Sequence, residues 1–147
     1  MKKGFTLIEV VIYIALMALL LGAGVTTAFY VVDSSQKTKW ETNVQSEGNF
    51  ILRKIDWALT GASDASFSGT TLTITNNGGP FVFTYDGTQY LLLGASNLNS
   101  SAVKIASVTY SVDSTVTPKK FTVSFTGSLI GKPAETVSFT MIKYLRK

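Results

Sequence analysis

Residues 2–32 read KKGFTLIEVVIYIALMALLLGAGVTTAFYVV. Two lysines and Gly4 precede an apolar run, and a single carboxylate, Glu9, sits just inside it. From Val10 to Val32, 23 residues (10 through 32), there is no Asp, Glu, Lys or Arg. At about 1.5 Å per residue this is roughly 34 Å of helix, enough to cross a hydrocarbon core of about 30 Å. Lys2 and Lys3 before the span place the N-terminus in the cytoplasm and the bulk of the chain outside, by the positive-inside rule.

Glu9 is the odd residue. A carboxylate in a membrane helix costs on the order of 2.5–3.5 kcal/mol, so a partner is expected. Lys2 and Lys3 lie on the wrong side of Gly4. A cut after Gly4 would leave a free ammonium on Phe5, one helical turn from Glu9. That charge then pairs with Glu9 either within the chain or from a neighbour.

KKGFTLIEV resembles the type III signal of type IV pilins and type II secretion pseudopilins: a short basic leader, Gly4 before the cut, Phe5 as the new N-terminus, and Glu9 fifth after it. The resemblance implies cleavage after Gly4 and N-methylation of Phe5 by a prepilin peptidase. It also implies that Glu9 guides the subunit into a helical filament by meeting the Phe5 amine of another pilin or pseudopilin. The partners implied are that peptidase, other pilins, a membrane assembly platform, and membrane lipid before assembly. The location implied is the bacterial cytoplasmic membrane, single pass, and then a pilus or pseudopilus. Two plainer readings compete. A secretory signal peptide has a 7–15-residue apolar core, shorter than this run, though small residues at 22–24 and 26–28 offer a cut. A simple membrane anchor explains the length but not Gly4, Phe5 and Glu9.

The remaining 115 residues (33 through 147) suit one small domain. The chain is 46% hydrophobic and 15% charged, and the apolar run accounts for most of that bias. The formal charge of +4 becomes +2 once Lys2 and Lys3 leave, which gives no nucleic-acid signal. With no Cys and no His, thiolate and imidazole catalysis and the usual zinc sites are excluded. Asp86 reads as a turn residue and Asp113 as a strand-end cap, and neither belongs to a calcium loop. Asn76-Asn77-Gly78-Gly79 is a turn that lacks the lysine of a phosphate-binding loop. Lys104, Lys119 and Lys120 with Tyr110 read as a solvated strand edge rather than a DNA-binding stripe. No enzyme, cofactor or metal is expected.

Beyond Asp33 the helix continues as an amphipathic segment. Trp40, Val44, Ile51, Ile55, Ala58 and Leu59 share one face at a 3.6-residue period, with Gly48 as a gap in the stripe. No proline interrupts 5–62 and Gly61 is the stop, giving a helix of roughly 85 Å. Gly22 and Gly24 are its weak points. After Ser63 the period is two. Leu72 and Ile74 mark one strand, and Phe81, Phe83 and Tyr85 the next. Asp86-Gly87 makes a hairpin turn back through Tyr90 and Leu92, and 95–101 reads as a polar loop. Val108, Tyr110 and Val112 follow, then Phe121, Val123 and Phe125, then Val137, Phe139 and Met141. A phase break at Met141-Ile142 predicts a bulge or a strand buried on both sides.

The organisation expected is a leader 1–4, a transmembrane or filament-core helix 5–32, its amphipathic half 33–62, and an antiparallel β domain 63–147. The fold class is α+β, with one long N-terminal helix packed on a C-terminal antiparallel sheet. The chain is most similar to J-type minor pseudopilins and related minor pilins. That likeness rests on Leu52-Arg53-Lys54-Ile55, Phe83-Thr84-Tyr85-Asp86-Gly87 with Tyr90-Leu91, and the strand 137–145. It implies a minor structural subunit of a type IV pilus, competence pilus or type II secretion pseudopilus. The alternative is a membrane-anchored extracytoplasmic binding module or adhesin.

Phe50 and Trp57, seven residues apart, point the same way, roughly 120–150° from the centre of the buried stripe. Two large aromatics there need a cover. The 63–69 loop or an edge strand of the same subunit supplies it, or an adjacent subunit does, with Arg53 and Lys54 bordering the ridge.

Overall fold

The computed structural model describes residues 6–76, 78–115 and 117–145. Helix α1 (Leu7–Leu59) is 53 residues long and contributes to two compact units, Met1–Lys39 and Trp40–Lys147. In the first unit every described residue is exposed. Leu7 to Val32 present large apolar side chains all round the helix, the pattern of a helix whose surroundings are not water. Thr26 and Thr27 satisfy their hydroxyls on the Gly22 and Ala23 carbonyls at 2.8 and 2.9 Å. Such bonds back onto the preceding turn slightly weaken a helix, and these fall where the two glycines already do so.

The second unit shows the expected α+β, pilin-like packing of the helix on antiparallel sheets. Trp40, Val44, Gly48, Ile51, Ile55, Ala58 and Leu59 are buried, which is the stripe read from the sequence together with the gap in it. Phe139 fills that gap: a Cβ on Gly48 would overlap its ring. The helix stops where Gly61 turns to φ +78, a conformation open to glycine at little cost. Asn76 donates to the freed Thr60 carbonyl at 3.0 Å.

Two sheets are present among the described residues, where one was expected. β1 (Ala62–Ser68), β2 (Thr71–Asn76), β3 (Gly79–Tyr85), β4 (Leu91–Leu93) and β5 (Ser96–Asn97) form one. β6 (Val103–Asp113), β7 (Lys120–Leu129) and β8 (Lys132–Tyr144) form the other. In both, chain neighbours are sheet neighbours and all pairs are antiparallel. Ile105 N–H donates to the Gln89 carbonyl at 2.9 Å, tying the second sheet to the loop of the first. Phe83, Phe121, Phe125, Leu72, Ile74, Leu91 and Ile105 fill the core with the helix stripe. Full burial of one such side chain is worth about 1.5–3 kcal/mol.

Several expectations are corrected. Residues 62–68 are a strand, not a loop, and 96–97 pair within the stretch read as wholly loop. Asn99 is buried there, accepting from Leu91 N–H at 3.0 Å and donating to the carbonyls of Gln89 (3.2 Å) and Val103 (2.6 Å). The return strand of the hairpin begins at Leu91, which is buried in place of Leu92, because Asp86 to Tyr90 all belong to the turn. No bulge occurs at Met141-Ile142. Met141 pairs with Val123 and Ile142 with Thr122 in unbroken register, and Ile142 is simply exposed. Register shifts fall instead between Ala62 and Asp64 in β1, between Ser128 and Leu129 in β7, and between Ala106 and Thr109 in β6, where Ser107 has φ +52. Tyr110 is buried, where burial pushes its phenol pKa up, so it joins no surface stripe with the lysines. Lys119 instead pairs with Asp64 at 3.5 Å.

Candidate functional site

Two regions carry the residues singled out in the sequence. Gly4 and Phe5, the expected cleavage and methylation positions, lie outside the described residues, as does Asn77 of the glycine-rich turn. Glu9 is placed in the first turn of α1. Its carboxylate accepts from Thr6 N–H at 3.2 Å and from the Thr6 hydroxyl at 3.1 Å. The Glu9 N–H in turn donates to the Thr6 carbonyl at 3.1 Å. This is the returning half of a capping box, in which a glutamate three residues into the helix satisfies the N–H of the residue before it. The signal for it was in the sequence, Thr-x-x-Glu ahead of an apolar run, and reading Glu9 only as a buried charge passed over it. Among the described residues Glu9 has no ion-pair partner.

The second region is on the helix in the second unit, Trp40–Lys147. Phe50 is 41% exposed and Trp57 55%. Trp57 meets Phe81 of β3 edge to face, ring centroids 4.8 Å apart. Phe81 is thus a neighbour that the sheet supplies, and it leaves the indole side chain largely exposed. Lys54 stands over both rings, its Nζ 5.5 Å from the Phe50 centroid and 5.8 Å from that of Trp57. Such contacts contribute about 0.5–1 kcal/mol at exposed sites. Arg53 is exposed beside them. These four residues line a shallow cavity of about 320 Å³.

The helix carboxylates on either flank are committed elsewhere. Glu47 accepts from Ser100 N–H (2.9 Å) and its hydroxyl (2.6 Å), which pins the loop after β5. Asp56 pairs with Lys143 of β8. Glu47 and Asp56 escaped the sequence reading because their partners lie 53 and 87 residues away. Asp86 and Asp113 organise turns, and no group of three or more metal-ligating side chains occurs among the described residues.

Residues 1–25 match the family model described as the prokaryotic N-terminal methylation motif. No curated protein and no solved structure matches the chain. The N-terminus therefore carries a prepilin-type signal, which points to a pilin or pseudopilin precursor and a structural rather than enzymatic role. Such a signal implies processing by prepilin peptidase and association with other pilins. The apolar helix that follows is long enough to span a bilayer and is consistent with membrane anchoring.

Proposed function

We propose that the chain is a minor subunit of a type IV pilus or type II secretion pseudopilus, of the J-type or a related minor pilin class. It enters the cytoplasmic membrane as a precursor through residues 5–32, with the second unit, Trp40–Lys147, on the far side as the outer unit. Prepilin peptidase cuts after Gly4 and methylates Phe5, and Glu9 then receives the Phe5 ammonium of a neighbouring subunit as the filament grows. The observation that carries this reading is the methylation motif over residues 1–25 running directly into a helix with no buried residue before Trp40. Apolar surface of that extent is stable only in lipid or inside an assembly. The α+β outer unit is compatible with the same role.

Intact-mass analysis of membrane-extracted protein tests it. The mature chain should begin at Phe5 and carry one added methyl group. Replacing Gly4 with a bulkier residue should leave the precursor uncut, because the peptidase must approach that backbone closely. A mature mass that retains Met1 to Gly4, or a start near Ala28, would overturn the assignment.

A further inference from the structure

We propose that the ridge of Phe50, Arg53, Lys54 and Trp57 docks an acidic amphipathic helix of a different protein. Such a site serves a filament subunit and a membrane-anchored binding protein alike, so it stands independently of the filament reading. The chain covers neither ring fully. Phe81 meets only part of Trp57, and Phe50 and Trp57 keep 41% and 55% of their surface exposed. The four residues follow i, i+3, i+4, i+7 along one helix, about 10 Å end to end, the spacing over which helix-to-helix recognition is read. The cavity they line gives a partner's apolar side chain a seat between two aromatic walls, the arrangement that anchors interfaces.

Charge selects the occupant. Arg53 and Lys54 stand in the ridge with no carboxylate among its lining residues. Glu47 and Asp56, on either flank, are held by Ser100 and Lys143. Elsewhere in the outer unit Asp64 is held by Lys119, Asp86 by its own turn and Asp113 by Thr115. Glu41 on α1 and Glu135 on β8 are the remaining carboxylates of this unit, so its stretch of α1 in a second copy offers one such group where an acidic helix offers several, and the complement is assigned to another chain. Lys54 stands over both rings, so a carboxylate arriving there meets a cation already fixed in place.

The test uses the full chain in zwitterionic nanodiscs and a fluorescein-labelled synthetic helix bearing a leucine stripe flanked by glutamates. Its counterpart carries lysine for every glutamate. The acidic helix should bind in a salt-sensitive manner and the basic one should not. Arg53→Glu with Lys54→Glu should weaken acidic-helix binding about tenfold or more, since like charges would then face each other, and should admit the basic helix. If the reversed chain does not fold, Arg53→Gln with Lys54→Gln should still weaken binding. Equal binding of both peptides, or unchanged affinity in the variants, overturns the proposal. So does self-association of the chain that the same variants abolish, which would make the occupant a second copy. In a Trp40→Phe background, quenching of Trp57 by brominated anionic lipid would assign the ridge to a membrane surface and overturn it equally.

Discussion

The Asp86 carboxylate accepts main-chain N–H groups from Thr88, Gln89 and Tyr90 at 2.8, 2.8 and 2.9 Å, and the Thr88 hydroxyl at 2.8 Å. Desolvation pushes its pKa up, but the bonds from Gln89, Thr88 and Tyr90 outweigh this and lower it from 3.8 to about 2. A pKa depressed in the folded state means the bonds stabilise the turn above the unfolded value. They are lost as the pH falls from about 3.8 through about 2. The side-chain carboxyl resonance of Asp86 should accordingly titrate near pH 2, well below that of an open aspartate. A midpoint near 3.8 would mean that the turn is not held this way in solution. Asp-Gly between two apolar runs marked a turn from the sequence alone. Its five-residue span was not legible, because it depends on three successive N–H groups converging on one side chain.

Among the elements, α1 and β8 meet at a position where two ordinary rules give opposite signs. Alanine for Gly48 favours the helix by about 1 kcal/mol. A methyl group there would overlap the Phe139 ring, which also stacks on Phe125 at 5.1 Å between centroids. Overpacking of this kind costs about 1–3 kcal/mol. The steric cost should prevail, so Gly48→Ala should lower stability by up to about 2 kcal/mol in urea titration of the full chain. Phe139→Leu should recover part of that loss in the double variant, as expected for residues in direct contact. A Gly48→Ala chain more stable than wild type would show that Phe139 moves aside freely. The helix face was legible because six apolar residues from Trp40 to Leu59 repeat at 3.6, and the glycine showed as a gap. What fills the gap was not, since Phe139 lies 91 positions on (139 − 48). The same limit explains the missed strands. β1 reads ASDASFS, with only Ala62 and Ala65 turned inward, and β5 is two polar residues. Neither has the bulky alternation that marks a strand in sequence, and both exist because a better strand lies beside them. The phase break at Met141-Ile142 misled for the opposite reason: Ile142 is apolar and exposed, which periodicity cannot distinguish from buried.

For the whole molecule the decisive residue is Glu9, whose carboxylate has a local role and a proposed distant one. Locally it caps Thr6 at the start of α1. In a filament it would receive the Phe5 ammonium of the next subunit. Glu9→Ala removes both roles and also a charge costing on the order of 2.5–3.5 kcal/mol in a bilayer, so insertion should become easier. The expected phenotype is processed protein that accumulates in the membrane and enters filaments poorly, while the outer unit stays folded. Glu9→Gln separates the roles, because its amide oxygen still accepts from Thr6 N–H but carries no charge. If docking depends on the ion pair, Gln should fail in filament incorporation as Ala does. If the cap alone matters, Gln should restore most of it. Filament yield by shear fractionation, with membrane-fraction protein as the denominator, reads the difference. Incorporation of Glu9→Ala at the wild-type level would remove Glu9 from assembly altogether and leave it as the residue that starts the helix.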